Sequence, residues 1–273
     1  MKTICKNDWT EGLFCVTMKL TLNNLKEVIF IMENKEGQKV PQATFKTRTL
    51  DGEWKEVTTD DVFKGKNVVV FSLPGAFTPT CSSTHVPRYN ALSKVFKDNG
   101  VDDIVCISVN DAFVMQAWQH DQQAPNITFL PDGNGEFTEA MGLLVDKSDI
   151  GFGKRSWRYS MLVKDGVIEK MFLEPEKPGD PFEVSDADTM LKYLNADAKE
   201  PEEVTVITRA GCPHCTRAKA LLEKHNYDYE EIELGGNVTH RSIEAITGRS
   251  TTPQIFIGGK HIGGADDLVA YLG

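Results

Sequence analysis

The chain has 273 residues, a length that suits two ordinary domains better than one. Hydrophobic residues make up 40% and charged residues 26%, as in globular proteins, which excludes a disordered or fibrous chain. The formal net charge of −10 argues against nucleic-acid binding, and no apolar run approaches the ~20 residues of a membrane span.

Residues 1–33 match neither of the patterns that follow and are treated as an N-terminal extension of unknown role. They carry Asp8 and Glu11 where an export signal would have basic residues and then an apolar block, so a cytoplasmic protein is expected. In a reducing compartment, cysteines are expected to be free, catalytic or metal-bound rather than linked in a disulfide framework. The six cysteines are Cys5, Cys15, Cys81, Cys106, Cys212 and Cys215.

From about Lys39 onward, short β-rich runs alternate with amphipathic stretches, which predicts an α/β fold with covered strands. NVVVFSL (67–73) and DIVCISV (103–109) are predicted strands, with a helix between them that continues to about Asn99. Asp165-Gly166 lies between two strand-like runs and predicts a hairpin. Ser185 is expected to cap the helix that follows it.

The charged segment 196–203 is broken by Pro201 and predicts a linker. Beyond it the alternation repeats on a smaller scale, from the strand VTVIT (204–208) to a closing helix that begins near Asp266. The sequence therefore predicts two α/β domains in tandem, residues 34–195 and 204–273, each with a mixed sheet flanked by helices.

The segment PGAFTPTC (74–81) ends a buried strand and places Cys81 where a helix begins. A free cysteine titrates at ~8.5, whereas a thiol at a helix N-terminus or beside a cation titrates several units lower. Cys81 is therefore expected to be a thiolate nucleophile, the alternative being a cysteine that is merely packed at a turn. Thr78 offers a hydroxyl that can donate to the thiolate and accept from a substrate, while Pro74 and Pro79 stiffen the loop.

The P-x-x-x-T-x-x-C spacing of Pro74, Thr78 and Cys81 resembles the active-site motif of the peroxiredoxins. Together with SVNDAFVMQAW (108–118) and RYSMLVKDG (158–166), it resembles the atypical peroxiredoxin five class over about residues 38–195. The resemblance implies that the cysteine attacks a hydroperoxide and becomes a sulfenic acid, and that Arg158 completes the pocket. Arg155 is the less favoured arginine. His85, one helical turn past the cysteine, either tunes it or packs locally on the helix surface.

The second cysteine pair lies in RAGCPHC (209–215), which follows a predicted strand and opens a helix, as is typical of a thioredoxin-like C-x-x-C site. Zinc is the alternative, but tetrahedral zinc needs four ligands and there is no second C-x-x-C, so no metal site is predicted. Downstream, TTPQIFIGG contains Pro253, of the kind that is cis beside the cysteines in such folds.

These segments resemble glutaredoxin over about residues 203–273. The resemblance implies a glutathione groove, with Arg209 and Arg249 either pairing with a glutathione carboxylate or lying on the solvated surface. His214 stands where an aromatic residue is usual, which leaves the redox potential open. The groove residues implied are Cys212, Thr252, Pro253, Gly264, Ala265 and Asp266.

The order of the halves resembles the hybrid peroxiredoxin–glutaredoxin proteins of bacteria, so both domains are expected to be thioredoxin-like. The implied function is a glutathione-dependent thiol peroxidase with no bound cofactor, in which hydroperoxides oxidise Cys81, glutathione is the reducing co-substrate and Cys212 recycles the enzyme. Cys215 is secondary, and Cys106 is expected to be inert core rather than a resolving cysteine. A homo-oligomer is implied by resemblance. The alternatives are a thioredoxin-dependent peroxidase and a redox sensor or relay.

Overall fold

The computed structural model describes residues 32–49, 51–199 and 202–273. Cys5, Cys15 and most of the N-terminal extension lie outside these residues. Residues 34–273 form one unit, which is the subject of this section. In the part of the chain described, no helix has both the length and the apolar character needed to cross a bilayer.

The first part of this unit alternates strands and helices as predicted. It also contains a π-helical turn (Cys81–His85) and a 3-10 turn (Ser148–Ile150). The elements are β1 (Thr44–Arg48), β2 (Trp54–Thr58), α1 (Thr59–Phe63), β3 (Asn67–Leu73), α2 (Val86–Ala91), α3 (Ser93–Asp98), β4 (Asp103–Ser108), α4 (Ala112–Asp121), β5 (Thr128–Pro131), α5 (Glu136–Ala140), β6 (Leu144–Asp146), β7 (Lys154–Ser156), β8 (Tyr159–Lys164), β9 (Val167–Leu173) and α6 (Ala187–Leu194).

A five-stranded mixed sheet in the order β5-β4-β3-β8-β9 forms the centre of this part. β3 is parallel to β4 and antiparallel to β8, and its residues from Val68 to Leu73 are buried, as expected of a strand covered on both faces. Ser72 pairs with Tyr159, which in turn pairs with Leu173. The end of β3, the start of β8 and the end of β9 therefore meet at one edge of the sheet. The Asp165-Gly166 hairpin is confirmed between β8 and β9.

The single helix expected up to Asn99 is instead divided into a π-helical turn, α2 and α3. Pro87 has no N–H to donate, and the N–H of Val86 reaches five residues back to the carbonyl of Cys81, which produces the wider turn. A second interruption at Leu92, with ψ near 3°, separates α2 from α3. The cysteine thus begins a π-helical turn rather than a regular α-helix.

The predicted cap at Ser185 is wrong. Asp186 is the N-cap of α6, and its carboxylate accepts a 2.9 Å hydrogen bond from the N–H of Thr189. The N–H and hydroxyl of Ser185 both donate to the buried carboxylate of Glu174 instead, at 2.8 Å each. The hydrogen bonds of Ser185 to Glu174 therefore fix it in the loop before the helix.

The second part has a smaller mixed sheet of four strands, β10 (Val204–Thr208), β11 (Glu230–Glu233), β12 (Gln254–Ile257) and β13 (Lys260–Gly263). Their order in the sheet is β11-β10-β12-β13, with β10 parallel to β11 and antiparallel to β12. Val206, Leu222, Ile255 and Leu268 are central to its core. Both parts have a mixed sheet with helices, which confirms the α/β prediction. The helices of this part are α7 (Pro213–Lys224), α8 (His240–Thr247) and α9 (Ala265–Leu272).

Strand β13 was not expected from the sequence. Gly258 and Gly259 have φ values of 55° and 72°, which let the chain turn back sharply so that β13 pairs with β12. At the other end of β12, Gln254 pairs with Ile207 of β10. This pairing places the cis Thr252–Pro253 bond at the edge where β10 ends and the C-x-x-C segment follows.

Candidate active site

Cys81 lies just beyond the end of β3 and has no solvent-exposed surface. Asn110 braces the loop before it, because the amide oxygen of Asn110 accepts from the N–H of Ala76 at 3.0 Å. The hydroxyl of Thr78 donates to the carbonyl of Gly75 at 2.8 Å. The hydroxyl hydrogen is thus used within the loop rather than on the thiolate as expected, and its lone pairs remain available to accept.

Arg158 is brought to Cys81 by the topology of the sheet. It directly precedes β8, which is antiparallel to β3, and its Nη1 lies 3.5 Å from Cys81 Sγ. The Arg158 side chain is 1% exposed. Arg155 lies on β7 and donates to the carbonyl of Val109 at 2.7 Å. Of the two arginines considered from the sequence, Arg158 is therefore the one in contact with the cysteine.

His85 is fully buried, so the alternative of a histidine packed on the helix surface is wrong. Its Nε2 lies 3.2 Å from the carbonyl of Ser185 and its Nδ1 lies 3.1 Å from Arg158 Nη1. A carbonyl only accepts, so Nε2 carries the hydrogen and Nδ1 accepts from the guanidinium. Burial, with the charge of Arg158 adding to it, lowers the pKa of His85 to about 3 despite the opposing bond to Ser185. His85 is therefore a neutral acceptor that holds Arg158.

The remaining edge of the Arg158 guanidinium contacts Asp180, a residue not singled out from the sequence. Nε donates to Asp180 Oδ1 at 3.2 Å, and Nη2 forms an ion pair with Oδ2. Phe182 covers the guanidinium, with its ring centre 5.3 Å from the Arg158 Cζ, and its ring also packs against His85. Asp180 lies in an irregular loop, so no periodic pattern in the sequence could have identified it.

Glu174 holds this loop, residues 174–186, against the site. Its carboxylate is 2% exposed and accepts from the N–H groups of Glu183, Val184 and Ser185 at 2.8 to 2.9 Å. A carboxylate that accepts several backbone N–H bonds is a strong local anchor. The loop that carries Asp180 and Phe182 is therefore fixed over Arg158 and His85.

Cys106 is a buried residue of β4, paired with Phe71 and Phe129 in the neighbouring strands. Burial raises its pKa well above the usual range for a thiol, and the nearby Cys81 adds to this effect. The thiol is therefore protonated and weakly nucleophilic at neutral pH, as expected for a cysteine in the core. Cys81, Cys106, Cys212 and Cys215 are all free thiols.

In the second part, Cys212 is the N-cap of α7. Its Sγ accepts a 3.3 Å hydrogen bond from the N–H of Cys215 and lies 3.7 Å from both the hydroxyl and the carbonyl oxygen of Thr252. The structure therefore brings together Cys212, Thr252 and the cis Pro253, as the sequence predicted. His214, in contrast, is exposed.

The two cysteines of this pair have opposite pKa shifts. Burial on its own would raise the pKa of Cys212, but hydrogen bonds from the thiol and N–H of Cys215, from Thr252 and from the His214 N–H outweigh it and lower the pKa. Burial, and then the interaction with Cys212, raise the pKa of Cys215. Cys212 is therefore the better nucleophile of the pair.

The other predicted groove residues lie at the start of α9 and in nearby loops. Gly264 is close to the Pro253 carbonyl, since a Cβ placed at Gly264 would lie 3.8 Å from that oxygen. Arg209 is exposed in the turn between β10 and α7. The remaining three are Arg249, Ala265 (buried) and Asp266 (exposed).

Two partners in this region were missed by sequence reasoning. The exposed Arg249 forms a 2.5 Å ion pair with Asp267, and Asp266 forms an ion pair with Arg217. Asp267 also accepts from the N–H of Gly264 at 2.7 Å and caps α9. The doubled aspartate after the glycines was the available signal, because acidic residues favour a helix N-terminus.

No group of three or more His, Cys, Asp or Glu side chains among residues 32–49, 51–199 and 202–273 is arranged to hold a metal ion. In both parts a cysteine follows the end of a strand and begins a helical turn. In the first part it contacts a buried arginine, and in the second it has a lowered pKa. Both arrangements are suited to nucleophilic thiol chemistry.

Comparison with known families separates the chain into two parts. Residues 35–191 match the Redoxin family model, and residues 204–262 match the Glutaredoxin family model. Both families have thioredoxin-like folds, which agrees with the two mixed sheets. Cys81 lies in the first matched segment and Cys212 in the second.

Two curated relatives show how far the similarity extends. The hybrid peroxiredoxin hyPrx5 of Haemophilus influenzae is 62% identical over 241 residues, which cover 88% of this chain and 100% of the relative. The peroxiredoxin sll1621 of Synechocystis is 59% identical over 169 residues, covering 58% of this chain and 89% of the relative. The first similarity thus extends through both parts of the chain.

Solved structures match the first part. Reduced Prx3 of Vibrio vulnificus in complex with hydrogen peroxide is 44% identical, with a TM-score of 0.56, and the match covers 59% of this chain and 99% of that one. A 1-Cys peroxiredoxin, the antioxidant protein of Plasmodium falciparum, is 31% identical with the same TM-score and covers 59% of this chain and 100% of its own.

Proposed function

Because the chain belongs to the peroxiredoxin family and carries a glutaredoxin domain after its redoxin domain, we propose that it is a glutathione-dependent thiol peroxidase in which the two domains act in sequence. Family membership establishes a thiol peroxidase. The dependence on glutathione and the recycling route are the proposal. The proposed division is a peroxiredoxin domain over 34–195, a linker over 196–203 and a glutaredoxin domain over 204–273.

In the first step, the Cys81 thiolate attacks the terminal oxygen of a hydroperoxide. An S–O bond forms, the O–O bond breaks, the sulfur is oxidised to a sulfenic acid, and the leaving alkoxide takes up a proton to become an alcohol. Arg158 stabilises the thiolate and the charge that develops on the departing oxygen. Thr78 accepts a hydrogen bond from the peroxide, and Pro74 closes the loop between β3 and the cysteine. The proposal depends most on the contact of Arg158 Nη1 with Cys81 Sγ at 3.5 Å.

Glutathione then condenses with the sulfenic acid, which forms an S–S bond and releases water. Because Cys81 Sγ is fully buried, the glutathione thiol reaches it only when the π-helical turn or the 174–186 loop moves aside. Cys106 does not compete for the sulfenic acid, since burial raises its pKa well above that of an ordinary thiol. The reductant therefore comes from outside the domain.

The thiolate of Cys212 next attacks the mixed disulfide, takes the glutathionyl group and releases the Cys81 thiolate. A second glutathione attacks at Cys212, forms glutathione disulfide and restores the thiolate. The proposed groove for glutathione consists of Thr252, Pro253, Gly264, Ala265 and Asp266, with Arg209 and Arg249 as partners for its carboxylates. The lowered pKa of Cys212 and the raised pKa of Cys215 support this assignment of roles, in which Cys215 is secondary.

Covalent linkage of the two domains raises the effective concentration of each for the other, which favours exchange between them over exchange with free proteins.

We also propose that the protein is cytoplasmic and forms a homo-oligomer, a dimer or a tetramer. Sedimentation velocity of the reduced protein tests the oligomeric state, and a monomer at micromolar concentration would contradict it.

The experiment that tests the function supplies glutathione, glutathione reductase and NADPH, but no thioredoxin, and follows peroxide consumption. Continuous turnover is expected for the wild type. Cys81→Ser is expected to abolish consumption, and Cys212→Ser to slow turnover severely while sparing the first oxidation. A single stoichiometric burst in the wild type, followed by turnover on addition of thioredoxin, would contradict glutathione dependence.

A further inference from the structure

The two edges of the Arg158 guanidinium have different partners. Nη1 lies beside Cys81 Sγ and His85 Nδ1, where a peroxide reacts. Nε and Nη2 form the opposite edge, and both donate to the carboxylate of Asp180. An arginine edge with two parallel N–H groups is the geometry that binds carboxylates and phosphates in general. In this protein that edge already holds an anion belonging to the same chain.

Asp180 lies on the solvent side of this pair. The Arg158 side chain is 1% exposed, whereas that of Asp180 is 39% exposed. The face of the guanidinium is covered by Phe182. An anion that arrives from solvent would therefore have to displace Asp180 in order to reach Arg158.

The loop around Asp180 is anchored at several points, so displacement of the carboxylate is costly. Lys147 Nζ donates to the carbonyl of Gly179, next to Asp180, at 3.1 Å. Lys177 and Glu183 form a 2.8 Å ion pair across the loop, and the buried Glu174 carboxylate holds the backbone at 183–185. The carboxylate of Asp180 is thus already held beside Arg158, whereas an external anion would lose translational freedom on binding to Arg158.

We propose that Asp180 is a specificity-determining residue, an internal carboxylate that occupies the anion-binding edge of Arg158 and so restricts the site to uncharged hydroperoxides. The inference rests on the proposed function, in which Arg158 acts on the peroxide. A neutral peroxide needs only the Nη1 edge, which is free of Asp180. For a substrate that bears a carboxylate, the Nε and Nη2 edge of Arg158 is already paired with Asp180. The negative charge of Asp180 also repels the substrate carboxylate. The carboxylates of glutathione likewise bind elsewhere than on Arg158.

The experiment compares Asp180→Asn with Glu176→Gln, a matched control that removes one negative charge from an exposed position of the same loop and leaves the anchors of Asp180 in place. Single-turnover oxidation of Cys81 is measured with a short-chain hydroperoxide that bears a carboxylate a few bonds from the peroxide, with the methyl ester of that acid, and with hydrogen peroxide over a series of acetate concentrations at constant ionic strength. The wild type and Glu176→Gln are expected to react faster with the ester than with the acid, and acetate is expected to leave their rates unchanged. For Asp180→Asn, the rate of Cys81 oxidation by the acid is expected to rise severalfold relative to the rate with the ester. Acetate is expected to slow oxidation of this variant by hydrogen peroxide severalfold.

Thermal unfolding in acetate provides a readout that is independent of activity. Acetate is expected to raise the unfolding temperature of Asp180→Asn but not that of Glu176→Gln, because only Asp180→Asn has an open anion site. An Asp180→Asn protein that shows neither acetate inhibition nor this stabilisation overturns the inference. Inhibition of the wild type by acetate, or a wild-type preference for the acid over the ester, overturns it even when the variant does not fold. A wild-type Cys81 that fails to react with hydrogen peroxide would instead contradict the proposed function.

Discussion

Arg158 donates from Nη1 to the Sγ of Cys81 at 3.5 Å, although the two residues are 77 positions apart in the sequence. The contact exists because β8 runs antiparallel to β3, so that the residue before β8 lies at the edge where β3 ends. The edge of the sheet therefore places a fixed cation beside the thiol. His85 and Asp180 hold that cation from its other sides.

Replacing Arg158 with lysine is expected to slow oxidation of Cys81 by about 100-fold, the typical loss when one charge-stabilising donor is removed from a reaction centre. A lysine ammonium is a point charge and does not reach the sulfur, His85 and Asp180 simultaneously. Rapid-mixing fluorescence with hydrogen peroxide measures the rate. Arg155→Lys is the matched control and is expected to have a far smaller effect, because Arg155 donates to the carbonyl of Val109 rather than to the sulfur of Cys81. Equal losses in both variants would contradict the assignment of Arg158.

His85 is expected to make the fold sensitive to acid. Its pKa is about 3 in the fold against an ordinary 6.5, so the unfolded chain binds the extra proton first and stability falls as the pH falls below 6.5. The loss from this group is about 1.4 kcal/mol per pH unit between those values, or about 2 kcal/mol at pH 5, and is absent at neutral pH. Urea unfolding at pH 7.5 and pH 5 measures it.

His85→Gln is the control for this prediction, because glutamine retains an acceptor for Arg158 and a donor for Ser185 but does not titrate. The variant is expected to lose less stability than the wild type between pH 7.5 and pH 5. An identical pH dependence in the two proteins would show that His85 is not the group responsible.

Cys215→Ser is expected to have a mild effect on glutathione-supported turnover, because the monothiol route needs only Cys212. The variant also removes the thiol that donates to Cys212, so the pKa of Cys212 is expected to rise somewhat, which iodoacetamide alkylation over a pH series measures. Cys212→Ser, in contrast, is expected to stop recycling. A Cys215→Ser protein as inactive as Cys212→Ser would rule out the monothiol route.

Cys106→Ala is expected to leave peroxide turnover unchanged and to cost about 1 kcal/mol of stability, through the small cavity left in the core. The raised pKa of the buried thiol is the reason for expecting no catalytic contribution. Steady-state assays and urea unfolding check the two parts of this prediction. Detection of a Cys81–Cys106 disulfide after peroxide treatment would contradict it.

Much of the fold and the two cysteine sites could be predicted because they depend on local signals. The buried run of β3, the turn at Asp165-Gly166 and the two cysteines that follow strands are all visible within short windows of sequence. The resemblance to known families then identified Arg158, which no local pattern reveals. The structure places Arg158 Nη1 3.5 Å from Cys81 Sγ, and the catalytic role of Arg158 stays a prediction.

The parts that were missed depend on tertiary contacts. His85 was considered for the helix surface, yet its position four residues after Cys81 puts both on one inward face of the helical turn. Asp180 and Glu174 lie in or next to a loop without periodicity, and their roles appear only once β9 brings that loop to the edge of the sheet. Ser185 resembled a cap locally, but its hydroxyl is directed at the buried carboxylate of Glu174, and the N–H of Thr189 donates to Asp186.

The most direct test of the whole account is to identify where glutathione is attached after one peroxide turnover. Cys212→Ser is treated with one equivalent of hydrogen peroxide and then with glutathione, and is analysed by peptide mass spectrometry beside the wild type. The account predicts one glutathionyl group on Cys81 in the variant and its transfer to Cys212 in the wild type. Absence of any adduct on Cys81, with the sulfenic acid left intact until thioredoxin is added, would contradict it.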